Sequence, residues 1–153
     1  MKRKSKILIG VPPAVMAAVL SLVSCEDSTG PSPVSVGVTL DEFSVTLDDA
    51  SARSGTIIFS VTNAGTEPHE FLVIQTDLAP DALPTEADGS YQEDGPGTQL
   101  LDEIEDILPD ETRELSIDLA EGNYVLICNR VEVEEDEVES HYAMGMRTAF
   151  QAE

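Results

Sequence analysis

The sequence predicts an all-β fold, a Greek-key β-sandwich of about seven to eight strands. Three observations indicate this class: short segments in which apolar and polar residues alternate, turn residues between them, and a length of 153 residues that suits one domain. Residues 34–40 and 43–47 alternate most clearly. Further segments rich in Val, Ile and Phe span 56–61, 69–74, 114–119, 124–128 and 146–151. We therefore expect an antiparallel sandwich.

Residues typical of turns separate these segments, and two further regions do not follow the pattern of a simple strand. Residues 63–65 (Asn-Ala-Gly) and 121–123 (Glu-Gly-Asn) are typical turns. Residues 77–97 are rich in Pro, Asp and Gly, which predicts a long excursion on the surface. Residues 100–108 place apolar side chains at helical spacing but also fit an edge strand. Both interpretations of 100–108 stay open.

The first 25 residues have the layout of a secretory signal. Four basic residues precede an apolar stretch at 7–23. The end of this stretch, Leu-Val-Ser-Cys at 22–25, resembles the bacterial lipobox, which predicts lipidation of Cys25; an uncleaved membrane anchor is the alternative. We expect a signal peptide at 1–25, an acidic and Pro/Ser-containing tether at 26–33 and a domain at 34–153. The protein is thus predicted to be exported and lipid-anchored to a bacterial membrane, at a periplasmic or cell-surface face.

The charge of the chain after the predicted signal is strongly negative. All 30 acidic residues follow Cys25 and only four arginines balance them, so the net charge changes from −22 for the whole chain to −26. Such a charge excludes a nucleic-acid-binding protein, whose affinity depends on neutralising phosphates. The acidity suits either a high-salt habitat or the attraction of a basic redox partner. Because the acidic residues are spread along the whole chain, we favour the high-salt interpretation.

Cysteine and histidine are scarce, and their positions are informative. With Cys25 lipidated, Cys128 is left without a disulfide partner in an oxidising compartment, so it is either a buried core residue or a metal ligand. His69 begins one predicted strand, Cys128 ends another, and His141 and Met146 precede the last. Strand ends that meet at one pole of a sandwich can bring these four side chains together. Two imidazoles, a thiolate and a thioether are the ligand set of blue-copper electron-transfer sites.

The same residues resemble the motifs of the cupredoxin family, in particular its small exported plastocyanin-like domains. The segments are Asn63-x-Gly-x-x-x-His69, Tyr124-x-x-x-Cys128 and His141-x-x-x-x-Met146, in that order. This resemblance covers about residues 34–153 and is strongest at the three motifs. It implies one mononuclear type 1 copper, with His69, Cys128 and His141 as strong ligands and Met146 as the axial ligand.

The sequence departs from the family pattern between Cys128 and the second histidine. Twelve residues, 129–140, separate Cys128 from His141, where the family has a handful. The acidic run within this insertion is either a solvated charged loop or a guard or docking face at the copper end. A competing axial ligand is Met144, although Gly145 before Met146 fits the commoner pattern. Asn63 and Asn129 are turn residues or donors of hydrogen bonds around the site.

Three functions are compatible with this pattern. The preferred one is a one-electron carrier with a basic partner, such as a cytochrome or an oxidase, attached to the membrane only through its lipid. The alternatives are a copper-binding or copper-delivery lipoprotein, and a metal-free binding module. We expect a monomer that is not an enzyme. Two histidines exclude the trinuclear cluster of copper oxidases, and the ligand loop holds no second cysteine for a two-copper centre.

Overall fold

The computed structural model describes residues 31–134 and 137–153, and strands dominate this part of the chain. The predicted signal peptide, the lipidation site Cys25 and residues 26–30 of the predicted tether lie outside the described residues, so these stay predictions. Within the described ranges, no helix has the length and apolar character needed to cross a bilayer. The first strand begins at Val34.

Eleven strands and two short helical turns make up the described residues. In chain order the strands are β1 (Val34–Asp41), β2 (Ser44–Leu47), β3 (Ser51–Ala52), β4 (Gly55–Asn63), β5 (His69–Gln75), β6 (Gln99–Ile107), β7 (Thr112–Leu119), β8 (Gly122–Ile127), β9 (Val131–Glu134), β10 (Glu137–Ser140) and β11 (Arg147–Ala152). A 3₁₀ turn spans Pro80–Ala82, and a single α-helical turn, α1, spans His141–Met144.

The strands form two sheets and one separate hairpin. One sheet has the order β2-β1-β4-β7 and the other has the order β3-β11-β8-β5-β6. Among the described strands, β9 and β10 pair only with each other. The chain changes sheet five times among these strands, between β2 and β3, β3 and β4, β4 and β5, β6 and β7, and β7 and β8. The prediction of an all-β sandwich is therefore confirmed. The expectation of purely antiparallel pairing is wrong, because β1 runs parallel to β4 and β3 parallel to β11.

The main core lies between the two sheets. Alternation directs every second residue of each strand inwards, so Phe59 from β4 meets Phe71 from β5 and Phe150 from β11. Tyr124 and Leu126 from β8 and Val73 from β5 join this cluster, as their positions in the sequence predict.

A second apolar cluster covers the outer face of β5 and β8. Leu72 and Ile74 from β5 pack there with Val125 and Ile127 from β8. Because both faces of these two strands are buried, their sequences are nearly continuous runs of apolar residues. The 77–97 excursion contributes Leu83 and Tyr91 to this cluster, so it lies on the surface but also closes a second core.

Candidate metal centre

His69 is positioned by a turn that Asn63 holds together. Asn63, the last residue of β4, is fully buried. Its side-chain Nδ2 donates to the carbonyl oxygens of Glu67, at 2.7 Å, and Ile107, at 2.8 Å, and its Oδ1 accepts from the Gly65 N–H at 2.9 Å. His69 then starts β5 opposite Ile107. Asn63 therefore links the end of one sheet to the histidine of the other.

Cys128 follows β8 directly and is held by backbone groups from two neighbouring segments. Its N–H donates to the carbonyl oxygen of Met146 at 3.0 Å, and its Sγ accepts from the N–H of Glu70 at 3.2 Å. The second contact ties the sulfur to the residue after His69. Cys128 is thus anchored to β5 and to the residue that directly precedes β11.

The insertion between Cys128 and His141 folds into the hairpin β9–β10 and so returns the chain to its starting point. Val131 pairs with Ser140 at the base of the hairpin, and the His141 N–H donates to the carbonyl oxygen of Arg130 at 3.0 Å. The Ser140 side chain caps α1 by accepting from the N–H of Ala143 at 3.3 Å. His141, the first residue of α1, consequently lies beside Cys128 despite the twelve intervening residues.

Three ligand atoms converge at this end of the sandwich. The Nδ1 atoms of His69 and His141 are 3.1 Å apart, and Cys128 Sγ lies 3.9 Å from the first and 3.5 Å from the second. All three side chains are fully buried. Imidazole and thiolate donors at this spacing fit a single mononuclear copper ion, since soft sulfur favours Cu(I) and imidazole suits both oxidation states.

Burial distinguishes the two candidate methionines. Met146 is fully buried and belongs to the same apolar cluster as Cys128, whereas Met144 is 48% exposed. The Met146 N–H donates to the carbonyl oxygen of His141 at 2.9 Å. Gly145, which separates Met144 from Met146, has a φ of 127°, a conformation that favours glycine. These positions favour Met146 over Met144, and its axial role stays a prediction.

The outward nitrogen of each histidine faces a carboxylate. His69 Nε2 lies 3.6 Å from Glu42 Oε1, and His141 Nε2 lies 3.8 Å from Glu67 Oε2. Neither Nε2 atom has a hydrogen-bond partner among the described residues. The ring of Phe43 also packs edge-on against His141, with the centroids 5.4 Å apart. Sequence reasoning missed Glu42, Phe43 and Glu67; only the position of Glu67, two residues before a predicted ligand, could have suggested one of them.

The protonation states of the three donors follow from their burial. Burial raises the pKa of the Cys128 thiol to about 11, against the lowering effect of N–H groups donated by Glu70 and Arg130. Burial also lowers the pKa of both imidazoles, and for His69 the neighbouring His141 lowers it further. At neutral pH the metal-free site therefore contains neutral imidazoles and a protonated thiol. A bound metal ion has to displace the thiol proton.

The other predicted polar residue, Asn129, has a structural role. Its Oδ1 accepts from the N–H of Tyr91 at 2.6 Å, and its Nδ2 donates to the Tyr91 carbonyl oxygen at 3.1 Å. Asn129 therefore fastens the 77–97 excursion to the segment after Cys128. Both of its side-chain bonds go to Tyr91 rather than to a ligand side chain.

Comparison with known proteins gives structural matches alone. No protein-family model and no curated protein sequence matches the chain. Auracyanin A, a "blue" copper protein from Chloroflexus aurantiacus, superimposes with a TM-score of 0.52 at 15% identity, over 80% of this chain and 100% of its own. A reduced auracyanin from Roseiflexus castenholzii gives 0.50 at 16% identity, over 81% and 99% of the two chains. Auracyanin B also gives a TM-score of 0.50 at 16% identity, over 81% of this chain and 91% of its own.

These matches concern the fold, since their sequence identities are low. They cover about four fifths of this chain and almost all of the two matched chains from Roseiflexus castenholzii and Chloroflexus aurantiacus. The order of strands and the sequence motifs point to the same architecture. The chain therefore has the cupredoxin fold.

Proposed function

We propose that this chain is a type 1 copper protein that carries one electron at a time. The observation that carries this proposal is the convergence of His69 Nδ1, His141 Nδ1 and Cys128 Sγ in a fully buried site. Copper, when bound there, supplies a couple that gains and loses one electron without substrate chemistry. The buried Met146 is the proposed axial ligand, and no enzymatic role is proposed.

The protein supports electron transfer by holding its donors rigidly. Cys128 is fixed through its N–H to Met146 and through its sulfur to the Glu70 N–H, and the His141 N–H is fixed to Arg130. Because these anchors are backbone groups in strands and a hairpin base, the ligand atoms have little freedom to move when the charge changes. The complete burial of both histidines also keeps water away, which lowers the energy needed to rearrange the surroundings.

The proposed location is an extracytoplasmic bacterial membrane face, periplasmic or at the cell surface. This part of the proposal depends on the N-terminal sequence, with its basic residues, its apolar stretch and the lipobox-like end at Cys25. One lipidated residue would attach the domain through the tether at 26–33.

The proposed partner is a redox protein with a basic docking face, such as a cytochrome or an oxidase. The hairpin β9–β10, next to the second histidine, supports this choice because it combines charge with apolar surface. Val133 and Val138 pair across the hairpin and are 68% and 54% exposed, and Glu132, Glu137 and Glu139 accompany them. Acidic residues around a small apolar patch steer a cationic partner and then make contact with it.

The visible spectrum of the purified full chain loaded with Cu(II) tests the proposal. We expect an intense blue or green thiolate-to-copper band, which Cys128→Ala abolishes because the band needs the sulfur ligand. A colourless protein that still binds Cu(I) would favour the delivery function. A protein without stoichiometric copper binding would contradict both copper functions and favour a metal-free binding module.

The two methionines provide a matched pair of variants for the axial ligand. Met146→Leu should keep the colour and raise the reduction potential, because an axial thioether tunes the metal rather than holds it. Met144→Leu should leave both properties unchanged, because Met144 is half-exposed. Complete loss of colour in Met146→Leu, with Met144→Leu silent, would contradict a tuning role.

A further inference from the structure

The carboxylate of Glu42 is held by backbone N–H groups of the turn that precedes His69. Its Oε1 accepts from the Thr66 N–H at 2.6 Å and from the Glu67 N–H at 3.0 Å. A Cβ atom at Gly65 would clash with the same oxygen, so the carboxylate occupies space that only a glycine leaves open. Its position is thus determined by backbone groups rather than by a flexible surface contact.

These hydrogen bonds place the carboxylate opposite Nε2, the outward nitrogen of His69. Glu42 Oε1 lies 3.6 Å from His69 Nε2, and that nitrogen is fully buried with no hydrogen-bond partner among the described residues. A neutral imidazole carries one ring proton, and a nearby negative charge favours the tautomer with the proton on the nitrogen that faces it. A proton on Nε2 would leave the lone pair of Nδ1 directed at the site, where His141 Nδ1 lies 3.1 Å away and Cys128 Sγ 3.9 Å away.

We propose that Glu42 is a positioning residue for the metal ligand His69, which it holds in the Nε2–H tautomer while lowering the reduction potential of the site. This inference rests on the proposed copper function. Carboxylates that face the second nitrogen of a ligating histidine fix its orientation and raise its basicity. A negative charge beside the site also stabilises Cu(II) more than Cu(I), because Cu(II) carries the larger positive charge.

Glu67 faces the other histidine, His141, so its effect on the potential can be compared with that of Glu42. Its Oε2 faces His141 Nε2 at 3.8 Å, but its side chain is 40% exposed compared with 23% for Glu42. Water screens a more exposed charge more strongly. Glu67→Gln should therefore change the potential in the same direction as Glu42→Gln, and by less.

The test compares Glu42→Gln with Asp48→Asn in the full chain. Glutamine keeps an amide oxygen that can accept from Thr66 and Glu67, so the turn is retained while the charge is lost. Asp48 is a matched control because its Oδ1 also accepts a backbone N–H, from Gly37 at 2.8 Å, and its carboxylate also fills space left by that glycine. Among the described residues, Asp48 forms no hydrogen bond or ion pair with a histidine, and both substitutions remove one negative charge.

We expect Glu42→Gln to weaken Cu(II) binding about 10- to 100-fold. The loss for Cu(I) should be smaller, and each tenfold difference between the two oxidation states raises the potential by ~59 mV. Asp48→Asn should leave affinity and potential unchanged. In the metal-free proteins, nitrogen NMR shifts of the His69 ring should report the Nε2–H tautomer in wild type and Asp48→Asn, and less of it in Glu42→Gln.

Two results would overturn the positioning role. One is a Glu42→Gln protein with the affinity, potential and tautomer of Asp48→Asn, in a wild type that binds copper; this result leaves the proposed copper function intact. The other is a wild-type His69 with its proton on Nδ1, which needs no variant to observe. A wild type that binds no copper would contradict the proposed function itself, and the tautomer alone would then decide the role of Glu42.

Discussion

The middle of the sandwich and its metal end are buried to the same degree but differ in chemistry. In the middle, Phe59 is fully buried and packs against two other phenylalanine rings with centroids 5.3 and 5.4 Å away. At the metal end, His69, Cys128 and His141 are also fully buried, but each offers a nitrogen or sulfur atom that can bind a metal ion. The two histidines also leave their Nε2 atoms without a hydrogen bond among the described residues.

This difference separates the region that stabilises the fold from the region that opposes its stability. Burying a large apolar side chain contributes roughly 1.5–3 kcal/mol, whereas a buried polar group without a partner costs about 1–3 kcal/mol. The apolar middle therefore stabilises the metal-free protein, and the histidine pair opposes that stability. Copper binding would offset this cost in proportion to its affinity and concentration.

The largest effect is expected from removing a ring in the middle. Phe59→Ala should lower the free energy of unfolding of the metal-free protein by about 3–5 kcal/mol, because it leaves a cavity between the sheets. Chemical denaturation followed by circular dichroism measures this loss. Leu108→Ala is the control: Leu108 is 55% exposed, so its change should stay within about 0.5 kcal/mol. Equal effects of the two substitutions would contradict the assignment of the core.

An intermediate effect is expected from Asn63, which connects the two regions. Asn63→Ala removes three hydrogen bonds and leaves the Gly65 N–H and two carbonyl oxygens without their partner. We expect a loss of about 1–3 kcal/mol together with weaker copper binding, because the same turn carries His69. Denaturation and copper titration measure the two quantities.

Asn123 offers the matched control for that substitution. It is exposed and makes one side-chain hydrogen bond, to Asp77 at 3.0 Å. Asn123→Ala should change stability by less than about 0.5 kcal/mol and leave copper binding unaltered. If Asn63→Ala behaves in the same way, the turn does not depend on its amide.

Among the substitutions of buried residues, the smallest effect on metal-free stability is expected where both histidines are replaced. His69→Leu/His141→Leu removes two unpartnered Nε2 atoms and the contact between the two Nδ1 atoms together. The metal-free protein should stay within about 1 kcal/mol of wild type, because replacing both polar partners with apolar side chains of similar size is nearly neutral. Its melting temperature should no longer rise when copper is added.

A double substitution in the apolar middle completes the comparison. Phe71→Leu/Phe150→Leu also changes two buried rings to leucine, but it should cost roughly 2 kcal/mol because packing is lost and no polar cost is relieved. A histidine double variant that loses as much stability as this control would show that the imidazoles support the metal-free fold.

Local sequence pattern predicted most strands, and the exceptions have physical causes. The 100–108 segment fitted a helix or an edge strand, and it forms most of β6, the edge strand next to β5. Its pairing with β5 shifts register twice, between His69 and Phe71 and between Val73 and Ile74. Such irregularities disturb strict alternation. The 77–97 excursion was predicted as surface chain from its Pro, Asp and Gly content. Its buried large apolar side chains, Leu83 and Tyr91, form no periodic pattern that would have indicated a second core.

The sequence by itself determined the kinds of donor atoms and their order along the chain, together with the faces of the strands on which they lie. These properties are local, since alternation and residue type do not depend on distant contacts. The tertiary structure decided which donors meet: the hairpin base that returns His141 to Cys128, the burial that separates Met146 from Met144, and the approach of Glu42 to His69. Distances between segments far apart in the chain depend on sheet register and packing, which no local pattern encodes.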